Sequence, residues 1–151
     1  IIQQASSLGI DIPFIGSDTL DDNKVLAAAQ GTNIQLYVST FYQEGGSPEF
    51  DKGIKDYINN NASAKSDNGG DDTISAVTAM GYDAYYVALE AIKAAGSPDA
   101  AKIKAALPTV TYTGVSFDAI GDAVRDTAFI KTADTANGAW VLEKVQTGSA
   151  S

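Results

Sequence analysis

The chain has 151 residues, with 10 Lys plus Arg against 19 Asp plus Glu, a formal net charge of -9, and neither cysteine nor histidine. That composition excludes thiol catalysis, disulfide staples, Cys- or His-ligated metals and any histidine general base. An anionic chain without a basic stripe also repels nucleic acid and anionic membrane surfaces, and its apolar runs are too short to span a bilayer.

With 44% hydrophobic and 19% charged residues the balance is globular, and the length suits one ordinary core. Ile1–Gly9 reads as the second half of a helix closed by a glycine, with no initiating Met and no leader, so the expectation is a fragment. Ile12–Ile15 is a short apolar strand that Gly16 ends, and Asp21-Asp22 open a helix whose face is Val25, Leu26 and Ala29. Ser17 and Asp18 therefore fall where a strand's carboxyl end meets a helix, the edge at which open α/β sheets bind ligands. From these residues alone, helix capping by Asp18 is the simpler role, and reception of a ligand ammonium the alternative. Ile34–Thr40 is a second strand. Ser47-Pro48-Glu49 starts a helix with a hydroxyl cap, and Phe50, Ile54, Tyr57 and Ile58 form its stripe. The alternation of helices and strands predicts an α/β fold with a parallel sheet.

Asn59–Asp72 is polar and reads as a surface or hinge-side loop. Its Asp67–Asp72 run fails the calcium-loop pattern, because Asp72 and Thr78 stand at the sixth and twelfth positions where Gly and Glu belong. Thr73–Ala95 is the longest predicted helix, with Ile74, Val77, Ala84, Ala88, Leu89, Ile92 and Ala95 on one face and Tyr85 and Tyr86 in the core. Gly96-Ser97-Pro98-Asp99 closes it and opens another through a Ser97 cap; that helix buries Ile103 and Leu107 and ends at Pro108. Beyond Thr109 the period becomes two. Short extended pieces flank Gly114, Asp118–Asp122 is a turn, and Phe129–Thr132 and Ala139–Val145 form a hairpin through Asn137-Gly138, before a tail, Gln146–Ser151, expected to fray.

In order, Ala5-Ser-Ser-Leu-Gly-Ile10, Pro13-Phe-Ile-Gly-Ser-Asp18, Gly81–Ile92, Ala95-Gly-Ser-Pro-Asp99 and Thr113-Gly-Val-Ser-Phe-Asp118 with Gly121-Asp122 resemble the C-terminal part of type I periplasmic binding proteins. The nearest group is the Leu/Ile/Val-type substrate-binding proteins of ABC importers. The resemblance implies two flavodoxin-like, doubly wound α/β lobes that clamp a solute, of which this chain covers less than half, with a C-terminal β-hairpin. It implies that residues 1–60 belong to the second lobe, 61–72 to a crossover or hinge, 73–132 to a return into the first lobe, 133–146 to the final hairpin strand and 147–151 to the tail. Asp18 then takes the position of the family's acidic partner for an α-ammonium, where amino-acid binders often carry Glu, and this reverses the preference for a cap. Ser17 lies beside it, and Ala79 matches a position that faces the ligand. The donors for the α-carboxylate belong to the missing lobe.

The function so implied is an extracytoplasmic solute-binding protein, not an enzyme. It needs no cofactor, binds a branched-chain or other small amino acid and delivers it to a membrane permease, either free in the periplasm or as a surface lipoprotein. The alternatives are an amino-acid-responsive sensory module on the same fold and a hydrolase using Asp18 with Asp21. An isolated fragment with open strand edges is expected to form a homo-oligomer by swapping or edge pairing, with 59–72 as the hinge.

Overall fold

A computed structural model describes residues 1–113 and 115–148, so Gly114 and the last part of the expected tail, 149–151, lie outside the described residues. Among the described residues the chain divides into two compact units: Ile1–Val77 with Thr127–Thr147, and Thr78–Asp126 with Gly148.

The first unit is a four-stranded sheet in the order β1-β2-β5-β6. Strand β1 (Phe14–Gly16) pairs parallel with β2 (Leu36–Thr40), and Gly16 stands opposite Val38. β2 pairs antiparallel with β5 (Thr127–Asp134), and β5 with β6 (Ala139–Thr147). The sheet is therefore mixed. Only the helix-connected pair is parallel; the C-terminal hairpin can return antiparallel because four turn residues suffice to join it. The hairpin is longer than its sequence signal, and Gln146 and Thr147, expected to fray, pair with Ala128 and Thr127. Helices α1 (Ile2–Ser7) and α2 (Asn23–Ala29) lie over the sheet, burying Ala5 and Ala29 with Ile34 and Leu36, and Phe14, Val25 and Trp140 close the cluster. At about 25 cal/mol per Å² of buried apolar surface, such packing supplies most of the stabilisation.

Helix α3 (Pro48–Asn60) begins as predicted at Ser47-Pro48, but the Ser47 hydroxyl makes no capping bond. Asp51 orders the entry instead: its carboxylate accepts from the Gly45 N–H at 2.7 Å and from the Tyr42 hydroxyl. Burial, with that bond to a carboxylate added, pushes the Tyr42 phenol far above its ordinary range.

The expected loop at 59–72 is a correction. Most of it is helix: the end of α3, then α4 (Ala62–Asp67), capped by Asn61, whose side chain accepts from the Ala64 N–H at 3.1 Å. An Asn followed by small and charged residues is as good a helix start as it is a loop, and the cap decides. Asn59 donates to Asp72 at 2.8 Å and Asn68 to the Thr73 carbonyl at 3.0 Å, so the turn after α4 is tied at both ends. This is not the slack segment that an exchange hinge requires.

The long helix α5 runs from Ala76 to Ala95, starting in the first unit and continuing into the second. In the second unit Val87 and Ala91 pack with Val110, backed by Ile103 and Leu107 of the segment containing α6 (Ala100–Ala106), and by Tyr112 and Phe117. The predicted apolar face holds only in part: Ile74 is buried, and Leu89 and Ala95 are half-buried. Ala84, Ala88 and Ile92 are exposed, and so is Tyr85 at 66%, whereas Tyr86 is half-buried and stacks on Tyr112 with centroids 5.3 Å apart. With Ala at many positions the helix offers more than one apolar stripe, and the stripe that meets Val110 is the buried one. The cap of α6 is Asp99, which accepts from the Lys102 N–H at 3.0 Å, and the Ser97 hydroxyl accepts from Asp99 N–H at 3.2 Å. Two-residue strands β3 (Ser116–Phe117) and β4 (Ala123–Val124) flank the Asp118 turn, where the Asp118 carboxylate accepts from the N–H groups of Ile120 and Asp122. Among the described residues no helix is long and apolar enough to cross a membrane.

Candidate functional site

At the carboxyl end of β1 the chain turns abruptly. Gly16 ends the strand because the next turn folds back over it: a Cβ there would lie 2.5 Å from Leu20 Cδ1. Ser17 is extended, and Asp18–Leu20 form one 3-10 turn, closed by Leu20 N–H to the Ser17 carbonyl and Asp21 N–H to the Asp18 carbonyl, both 3.0 Å. Asp22 then caps α2, accepting from the Lys24 N–H at 2.7 Å.

This separates the two roles open to Asp18. The cap is Asp22, four residues on. The half-buried Asp18 carboxylate forms no hydrogen bond or ion pair among the described residues, and it lines a cavity of about 270 Å³ within the first unit. Thr19 and Thr73 contribute hydroxyls to the same walls. Ser17, exposed beside Asp18, shares a hydrogen bond with Thr19 at 2.9 Å between the hydroxyl oxygens. Ala79 is buried on α5 in the second unit, at 8% exposure. Ser17 and Asp18 thus share one turn of the first unit.

Asp21 is a different kind of carboxylate. It is 4% exposed, and Lys131 of β5, 3% exposed, meets both its oxygens at 3.1 and 3.0 Å. The Thr40 hydroxyl at the end of β2 donates to Oδ2 at 2.8 Å, and the Ala76 N–H at the start of α5 approaches it at 3.4 Å. The β5–β6 register shifts between Ile130 and Lys131, an irregularity of the kind that re-aims a side chain. The enzymatic alternative needs Asp21 available beside Asp18. Here its oxygens are engaged by an ammonium, a hydroxyl and a backbone amide.

Nearby, Glu44 accepts from the Ile74 N–H at 2.6 Å and pairs with Lys55 at 2.8 Å, and the hydrogen bond to Glu44 raises the Lys55 ammonium above its usual range. Sequence reading missed the Asp21–Lys131 pair, whose members lie 110 positions apart. The available signal was a lysine inside the apolar run Phe129-Ile130-Lys131.

A family model described as periplasmic binding protein matches residues 1–149. The chain belongs to that family. Among solved structures it is similar to a leucine-binding protein from Thermotoga maritima, at 27% identity and a TM-score of 0.70, over 97% of this chain and 40% of that one. It is also similar in fold to a branched-chain amino acid ABC transporter protein from Thermus thermophilus with bound valine, at 18% identity and a TM-score of 0.61, over 99% of this chain and 42% of that one. The chain therefore spans about two-fifths of the length of these solved relatives. No curated protein sequence matches it. The α/β architecture of the binding-protein fold is thereby established, and the relatives are binding and transport proteins.

Proposed function

We propose that the chain is part of an extracytoplasmic solute-binding protein of an ABC importer, that its solute is a branched-chain or other small amino acid, and that the protein hands the solute to a membrane permease without chemical change. The observation that carries the reading is Asp18: a half-buried carboxylate with no partner among the described residues, at the ligand-binding edge of a strand, in a chain similar over 97% of its length to a leucine-binding protein. In this reading Asp18 accepts charge-assisted hydrogen bonds from the solute's α-ammonium, and Ser17 lies beside that group. The solute's α-carboxylate is held by donors outside this chain, so residues 1–151 alone bind it weakly.

Alone, the chain also leaves β1 at the edge of its sheet with Ile15 81% exposed. Edge pairing between copies is the part of the oligomer expectation that remains a proposal, and light scattering of residues 1–151 checks it.

A thermal-shift screen of the full-length protein against amino acids tests the function. Leucine, isoleucine or valine at about a hundred times its dissociation constant should add about 2.7 kcal/mol of stability. Stabilisation by no amino acid would contradict the reading.

A further inference from the structure

We infer that Asp21 is a positioning residue for solute binding: anchored by Lys131, it holds the Asp18 turn in its binding arrangement. The inference rests on the assignment of Asp18 proposed above and names a second residue on which that site depends.

The turn that carries Asp18 is a single 3-10 turn, too short to define its own direction. On its β1 side it follows a three-residue strand at the edge of the sheet. On its other side stands Asp21, whose N–H closes the turn onto the Asp18 carbonyl at 3.0 Å while its carboxylate is fixed inside the unit. The fixing groups come from separate elements: Lys131 from β5, Thr40 from β2 and the Ala76 N–H from the first residue of α5. One side chain therefore sets the turn against two strands of the sheet and against the helix start.

A salt bridge this deeply buried is weak grounds for stability, because desolvation offsets the attraction. What it supplies is direction. The donors fix where the carboxylate oxygens point, and the backbone of the turn is covalently tied to them.

The test is a double-mutant cycle on affinity for L-leucine and L-valine, by calorimetry on the full-length protein at a temperature well below every variant's melting point. Asp21→Asn keeps the size but loses the charge partner of Lys131, and should weaken binding about tenfold or more, by letting the turn shift. In the Asp18→Asn background, whose residual binding is titrated at millimolar ligand, Asp21→Asn should change affinity by no more than about twofold, since its effect passes through Asp18. A merely structural role gives the same loss in both backgrounds, and that result overturns the inference, as does an Asp21→Asn variant of full affinity. If Asp18→Asn itself leaves affinity intact, the assignment of Asp18 falls and this inference with it; if it does not, only the Asp21 arm is in question.

Should Asp21→Asn fail to fold, Asp21→Val with Lys131→Met replaces the ion pair by apolar groups close to it in shape and volume, a change that buried pairs often tolerate. Near-normal melting with the same background-dependent loss of affinity supports the positioning role. Near-normal melting with full affinity overturns it.

Discussion

Both units have an apolar core, but among the described residues only the first adds a buried polar group to it. The first buries Asp21, Lys131 and Thr40 in one hydrogen-bonded group. The second buries Ala79, Val87, Ala91, Val110 and Val115, without a buried charge among the described residues. Hydrogen bonds are directional, and a buried polar group must be satisfied, so the first unit has few alternative arrangements near Asp18. Apolar contacts are not directional, and an alanine-rich helix can rotate its stripe at small cost. The candidate binding turn lies in the unit whose geometry is specified by polar groups. That is the reason a single turn can present a carboxylate in a defined direction.

Lys131→Met should break this contrast most visibly. It strands the Asp21 carboxylate in the interior and should cost about 3–5 kcal/mol in urea unfolding. Val87→Ala in the second unit removes only methyl groups and should cost about 2 kcal/mol. A Lys131 variant no worse than the Val87 variant would mean that the polar group does not specify the first unit.

Caps sharpen the comparison at a smaller scale. Asp22→Ala and Asp99→Ala each remove an observed cap, one per unit, and should cost about 1 kcal/mol. Ser47→Ala removes a hydroxyl that caps nothing and should stay within about 0.5 kcal/mol. Circular dichroism melts of the three variants rank them.

The smallest effect is pH-dependent. Asp134 closes the β5–β6 turn by accepting from the Asn137 side chain and from the Asn137 and Ala136 N–H groups, and these bonds, led by the Asn137 side chain, hold its carboxyl below the usual carboxylate range. A depressed folded value adds stability that is present above the unfolded pKa. It is lost as pH falls from the ordinary carboxylate value through the lower folded one. Amide exchange in β5 and β6 should therefore accelerate over that acid range relative to β2, and Asp134→Asn should remove the difference.

The strands of the first unit and its helices other than α4 were legible because each has a single apolar pattern: the runs ending at Ile15 and Thr40, the stripe of Leu26 and Ala29, and the turn ahead of Ala139. The α5 stripe was not legible, since its many alanines leave the periodicity degenerate and Val110, further along the chain, selects the face. Helix α4 was hidden because Asn61 serves equally as a cap or a loop residue. At the site, the sequence placed Ser17 and Asp18 at the correct strand end. The separation of cap from candidate ligand group became visible only with the Asp22 carboxylate seen accepting from the Lys24 N–H of α2. Asp21 looked like part of an acidic helix start. Its partner lies across the sheet, and no local pattern announces it.

The central claim is that Asp18 receives a solute ammonium, and calorimetry of the full-length protein and of its Asp18→Asn variant with L-leucine and with 4-methylpentanoate, the same skeleton without the amino group, tests it most directly. Losing a buried charge partner costs on the order of 2–5 kcal/mol, so the parent should prefer leucine by about thirtyfold or more, and the variant should bind the two ligands within about threefold while melting as the parent does. An Asp18→Asn variant that keeps the parent's preference for leucine would contradict the claim.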